Sequence, residues 1–308
     1  MTVTAGSEGG VSVSGANRVY SFIKLIGDLK DSIDSNGQRV DIYYETRLLF
    51  RGQSDARYNL EPSLTWKKNY SNLTLQMKER DLIETAKYMA PDVFRNDYQP
   101  LEQLAVLRHH AMPTRLLDVT SNALVALYFA CCGNNDQDGE VIIFVDNRYS
   151  QATLALHNAI ADTCRLMQNE TLVPLGEFLQ RMKREPYAYE IKDKIGFDEG
   201  WLFKCCQQIL FVNAPFHLRR QQAQSGKYIL FPNEIVDVNG LRYFRNNIAP
   251  IKKLYPNVVR IIRIPKESKE KIRQELEWMG IDEASLFIDS PDKMCEQIAK
   301  RYERELKM

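Results

Sequence analysis

Residues 109–132, HHAMPTRLLDVTSNALVALYFACC, constrain the fold more than any other part of this 308-residue chain. Pro113 does not fit inside a helix, so the helical run 101–110 must end before it. Leu116 and Leu117 then carry the chain inward. Thr120 or Ser121 can accept the orphan N–H groups of a new helix, made apolar nearly all round by Leu124, Val125, Leu127, Tyr128 and Phe129. Polar groups at such a turn place a corner in the core. A buried Arg115 or Asp118 needs a partner there, because an unpaired charge is costly. The two are expected to be largely buried and paired mutually or locally, as a structural bracket.

A second short motif stands apart from this corner, Phe50-Arg51-Gly52-Gln53. Residues 41–51 are aromatic and branched with partial alternation and read as a strand, with Leu48 and Phe50 on one face and Leu49 and Arg51 on the other. Gly52 permits a close backbone approach or a positive φ. Arg51 is placed to grip a phosphate or carboxylate bidentately. An internal salt bridge, with Asp118 for instance, is the equal alternative.

FRGQ, HHAMPTRLLDVTSNALVALYFA, RRQQAQSGKY and GIDEASLF, in that order and spacing, resemble the FRG domain family over roughly residues 40–290. The family's middle motif usually reads Gln-His-x-Gly-x-Pro-Thr-Arg-Leu-Leu-Asp-Trp-Thr. His109, Pro113, Thr114, Arg115, Leu116, Leu117, Asp118 and Thr120 match it; Arg108, Ala111 and Val119 depart from it. The loss of the Gly and the Trp reads as a packing change that leaves the polar set intact.

The rest of the chain fits one soluble domain. Apolar content of 44% with 26% charged residues is ordinary for a globular protein, and a net charge of +1 gives no global field for nucleic acid or anionic membrane. Six cysteines without metal-ligand spacing read as reduced thiols of a cytoplasmic protein. No apolar run is long enough to span a bilayer. Residues 1–16 read as a disordered tail, and residues 17–308 as one FRG-type α+β domain. Its central mixed β core should gather strands around Leu48, Ile143, Leu210, Ile229 and Ile261, surrounded by helices. Residues 151–206 read as a helical insertion, and 265–308 as a helical closure with a last helix from Pro291. Helix one is expected over Val19–Ser35, ended by Asn36-Gly37.

Several chemistries are excluded by motif. There is no GxSxG, HExxH, CxxC, GxxxxGK[ST] or GxGxxG, and adjacent His109 and His110 diverge by about 100° on a helix, so no metal is expected. His157 and His217 read as lone packed or surface imidazoles.

More distantly, the chain resembles mono-ADP-ribosyltransferases, which place an arginine of an aromatic-Arg-Gly motif on an early core strand. That resemblance implies an ADP-ribosyltransferase-like core with NAD as substrate. It implies Arg51, Gly52, Gln53, His109, Thr120 and Ser121 as NAD-binding residues and Gln224, Arg51 and Tyr228 as the catalytic set. Arg51 would hold the diphosphate or its ribose, Thr120 a ribose hydroxyl, and Gln224 the acceptor or a 2′-hydroxyl. Tyr228 or Tyr44 would stack on nicotinamide. Arg220, Gln224, Gly226 and Tyr228 match the family pattern Arg-x-x-x-Gln-x-Gly-x-aromatic; alternatively, Gln224 and Gly226 only shape a turn into a strand.

The implied role is that of a bacterial toxin or phage-defence effector modifying nucleic acid, such as RNA, or protein, with an antitoxin or other protein as partner and no membrane. Arg219, Arg220, Arg242 and Arg245, with Tyr243 and Phe244 to stack a base, read as a local nucleic-acid face or as a solvated patch. The competing class is a non-catalytic ligand-binding or protein-interaction module, in which Arg51, Arg115 and Asp118 form a buried bracket.

Overall fold

Strands drawn from widely separated parts of the chain meet in one mixed sheet. In chain order they are β1 (Gly6–Glu8), β2 (Val11–Gly15), β3 (Thr46–Gln53), β4 (Leu116–Thr120), β5 (Gly139–Asn147), β6 (Leu172–Pro174), β7 (Leu210–Val212), β8 (Gly226–Leu230), β9 (Asn233–Val238), β10 (Leu241–Ile248) and β11 (Val258–Ile264). The computed structural model describes residues 6–8, 11–35, 46–65, 75–147, 153–168, 170–213, 219–249 and 258–288. Eight strands run in the order β1-β2-β11-β5-β3-β4-β8-β7, and β6-β10-β9 form a smaller sheet. In the large sheet β2 and β11 are parallel, and every other pair is antiparallel. Leu48, Ile143, Leu210, Ile229 and Ile261 all lie in this sheet, as their strand-like surroundings predicted.

The helices are α1 (Val19–Ser35), α2 (Leu75–Met89), α3 (Pro100–His109), α4 (Ala123–Cys131), α5 (Leu154–Ala161), α6 (Thr163–Leu166), α7 (Leu175–Lys183), α8 (Glu199–Cys206), α9 (Arg219–Ala223), α10 (Lys269–Trp278) and α11 (Glu283–Leu286). On one face of the sheet, Phe22 of α1, Leu127 of α4 and Ile272 and Leu276 of α10 pack with Phe50, Val141, Ile143 and Ile262. The opposite face buries Leu49, Val119, Ile142, Phe144, Ile229 and Phe231 beneath Leu60, Leu64 and Ile248. Because β5 is covered on both faces, its run VIIFV is apolar without alternation. Between β5 and β7 the described chain is helical apart from β6, and its apolar residues join Leu116, Tyr228 and Leu230 in a third cluster.

Three local expectations need correction. Val11–Gly15 pairs in parallel with β11, so part of the stretch read as a tail is a strand that covers the sheet's edge. Leu116–Thr120, read only as an inward run, is strand β4, laddered to β8 along its whole length. The helix after it is capped by Asn122, not by Thr120 or Ser121: the Asn122 Oδ1 accepts from Leu124 N (3.0 Å) and Val125 N (3.4 Å). Thr120 is instead held in the ladder, where its hydroxyl accepts from Asn122 N (2.9 Å). Asn36-Gly37, Tyr44, His217 and the helix expected from Pro291 lie outside the described residues.

Helix α4 lies directly on the backbone of the sheet. A Cβ added at Gly52 would stand 1.9 Å from the Ala126 carbonyl oxygen and 2.7 Å from Ala130 N, and one at Gly139 would stand 2.1 Å from the Ala130 carbonyl oxygen. The close approach expected at Gly52 is therefore made by a helix rather than by a ligand.

Candidate functional site

β3 and β4 pair at one position, Phe50 opposite Thr120. Beyond it the Arg51 guanidinium reaches across and donates through Nη1 to the Asp118 backbone carbonyl at 2.6 Å. A cavity of about 420 Å³ opens there, bounded by β3, β4, β8, the end of α3, α4 and α9. Arg51, Gly52, Gln53, His109, Asp118, Thr120, Gln224 and Tyr228 all line it, although they span 178 positions of sequence from Arg51 to Tyr228. Ser121 is exposed and is not part of this wall; its hydroxyl donates to the Ser225 carbonyl at 3.4 Å.

The Arg115–Asp118 bracket does not exist. Three residues apart along an extended chain, the two side chains leave opposite faces. Arg115 is buried against an equally buried Glu79, with Nε to Oε1 at 2.7 Å and Nη2 to Oε2 at 2.5 Å, and its Nη1 donates to Asn233 Oδ1 at 3.0 Å. Burial works against this guanidinium's charge, yet the Glu79 carboxylate overrides it and holds the pKa above the usual arginine range. Asp118 is half exposed, and its Oδ2 accepts from Arg108 Nε (2.9 Å) and Nη2 (2.5 Å). So the Arg108 departure from the family pattern supplies the partner of the motif's aspartate.

Ala111 is a second departure with a structural consequence. α3 ends in a Schellman motif: Met112 N donates to the Leu107 carbonyl (3.0 Å) and Ala111 N to the Arg108 carbonyl (3.1 Å). This puts Ala111 at φ 60°, in the left-handed region where the family's glycine carries no Cβ penalty. Ala111→Gly is expected to raise stability by about 1 kcal/mol, read as a melting temperature higher by roughly 2 °C. An unchanged or lower melting point would show that the Cβ is accommodated there without strain.

Several wall residues are held by the protein itself. The Thr120 hydroxyl donates to the Gln224 carbonyl at 2.7 Å, and Gln224 Nε2 donates to the Leu286 carbonyl at 3.0 Å. The segment that supplies Leu286 is the GIDEASLF motif. Its Asp282 and Ser285 form a reciprocal capping box, and its Phe287 ring lies 4.4 Å from the Arg220 guanidinium and edge-on to Phe129. Gln53 is buried, and its Nε2 donates to the Asn59 carbonyl at 3.3 Å. The His109 ring packs edge-on against His110, with centroids 5.0 Å apart. Burial, with the Asp118 carboxylate adding to it, pushes the Tyr228 hydroxyl well above its ordinary pKa.

Arg51 is different. Burial pulls its guanidinium down to about 10, against the opposing pull of Asp118, and its Nε has no hydrogen-bond partner. Arg108, Arg220 and Lys227 share the wall with it, whereas among the described residues Asp118 is the one carboxylate there. Arg108, Gln221 and Lys227 were not singled out as site residues from sequence, while Arg220 was read as part of the Arg-x-x-x-Gln-x-Gly-x-aromatic match and of a basic patch. RRQQAQSGKY carries Arg220, Gln221 and Lys227; Arg108 lies outside it.

The proposed nucleic-acid face does not assemble as expected. Phe244 is fully buried against Phe178, so it cannot stack on a base. Arg242 lies over Phe203, and Arg245 faces Glu234 on β9. Arg220 belongs to the cavity on α9, while Arg242 and Arg245 stand on β10 in the smaller sheet. His157 is a packed imidazole, pushed down to about 4 by burial. Among the described residues Cys131, Cys132, Cys164, Cys205 and Cys206 are free thiols, no group of three or more His, Cys, Asp or Glu could hold a metal, and no helix is long and apolar enough to cross a membrane.

No curated protein and no solved structure matches the chain. A family model does match, over residues 46–139, and it covers FRGQ and the whole of the Pro113 corner. The strands and helix that build the Arg51 side of the cavity, β3, β4 and α4, thus lie within the stretch that matches the FRG domain model.

Proposed function

We propose that this cavity binds NAD and that the protein is an ADP-ribosyltransferase-like enzyme with a nucleic-acid or protein acceptor. The observation that carries the reading is Arg51, half-buried in the cavity wall with its Nε enclosed and unpartnered, beside Arg108, Arg220 and Lys227. Such a group gains most from paired anionic oxygens, which a diphosphate supplies. Phe50, Tyr58, Phe129 and Tyr228 offer flat apolar surface for rings, and the volume suits a ligand of this class.

In the reaction the bond between C1′ of the ribose and the nicotinamide nitrogen breaks, and its electron pair leaves with nicotinamide. The acceptor forms the new bond to C1′, and its proton passes to solvent. Arg51 holds the diphosphate still while charge develops on the ribose. Gln224 orients the acceptor by hydrogen bonding, since an amide is no base at neutral pH.

Calorimetric titration with NAD tests the binding half. Arg51→Ala is expected to weaken binding by about ten- to a hundredfold, the worth of a charge-assisted hydrogen bond, and Arg51→Lys to restore only part of it. Gln224→Ala should spare binding and slow label transfer from NAD to lysate, with nuclease or protease digestion identifying the acceptor. A wild-type protein that ignores NAD sinks the reading.

One observation favours a binding module instead. The Thr120 hydroxyl and the Gln224 amide, assigned to ribose and acceptor, are already engaged by Gln224 and Leu286 carbonyls. NAD binding without label transfer would select that alternative.

A further inference from the structure

Gln221, on α9, is 6% exposed, and neither its Nε2 nor its Oε1 has a hydrogen-bond partner. No other side chain among the described residues leaves both amide atoms unmatched. A buried amide without partners is costly, so its retention needs a reason. Gln221 is also part of the cavity wall that holds Arg51. Its stem is seated by Gly226, where an added Cβ would stand 3.2 Å from Gln221 Cγ.

We infer that Gln221 is the specificity-determining residue of this cavity and that it reads a planar group presenting a hydrogen-bond donor and acceptor side by side. An amide offers one N–H and one carbonyl oxygen in one plane, and its complement is another primary carboxamide or the amino-and-ring-nitrogen edge of a 6-aminopurine. The inference rests on the NAD reading, since NAD carries both groups. In this structure the amide is enclosed. On ligand entry it turns about its own side-chain torsions to meet that edge, while Arg51 takes the anionic part.

Side-chain amide spectra of ¹⁵N-glutamine-labelled protein provide the test, the Gln221 signal being the one that Gln221→Leu removes. The probes are nicotinamide against nicotinic acid, and AMP against IMP, each pair differing in the donor–acceptor edge. The signal is expected to move with nicotinamide or with AMP and to stay put with the matching acid or oxo compound, which also names the edge that is read. Gln221→Leu is expected to melt at or above the wild-type temperature while losing tenfold or more in NAD affinity, a pairing that a merely structural glutamine would not give. A signal unmoved by all four probes, or moved alike by both members of a pair, overturns the inference, as does a Gln221→Leu protein that binds NAD like wild type. If nicotinamide or AMP moves the signal but wild-type protein does not bind NAD, the Gln221 site stands and the NAD reading falls.

Discussion

Arg115→Ala is expected to lose about 3–5 kcal/mol of stability. The side chains of Arg115 and Glu79 are 3% and 2% exposed, so removing the guanidinium leaves a carboxylate sealed from water with no counter-charge. Asn233 Oδ1 loses its donor at the same time. Glu79→Ala should cost as much, for the mirror-image reason. The double replacement Arg115→Met with Glu79→Met should recover most of the loss, because the cost lies in the stranded charge and not in the absence of the pair. Denaturant melts of the four proteins read this directly. Single variants that melt like wild type would mean that water or a neighbouring group solvates the survivor.

Gly52→Ala should be nearly as damaging, at about 3 kcal/mol or more. One methyl group would be driven to 1.9 Å from the Ala126 carbonyl oxygen, and that neighbour is helix backbone with no rotamer to yield. α4 must then shift off β3, which disturbs the Val125, Ala126 and Phe129 wall of the cavity as well as the core. Melting temperature and NAD affinity are therefore expected to fall together. Preserved stability with lost binding would place the glycine's role at a ligand, as the sequence alone had suggested.

The gap between those two readings of Gly52 shows what sequence conveys. That residue 52 needs no side chain is legible; which atoms crowd it is not, because α4 begins about seventy positions later. β5 was legible because VIIFV can only be buried on both faces. β4 was hidden because five residues with an outward aspartate, LLDVT, carry too little pattern to separate a strand from a turn. Arg115 and Asp118 were each rightly expected to need a partner, but Glu79 lies 36 positions before Arg115 and Arg108 ten before Asp118, distances that only the tertiary fold closes. The Ala111 conformation follows from the way α3 ends, and a substituted glycine leaves little trace of it in a single sequence. Arg51, Gln224 and Tyr228 were brought together by resemblance of motifs. Gln221 was overlooked because its neighbour Gln224 fitted the pattern.

The order of strands also sets a timetable for synthesis. β5 is flanked by β3, made before it, and by β11, whose first residue follows β5's first by 119 positions (258 minus 139). At translation rates of 5–20 residues per second, one side of β5 waits on the order of ten seconds for its partner. During that interval an apolar strand with an open hydrogen-bonding edge is exposed on the ribosome, a template for pairing with a neighbouring nascent chain. Slowing translation between residues 147 and 258 should lengthen this vulnerable period, making chaperone supply, more than final stability, the factor that limits how much native protein a cell can accumulate.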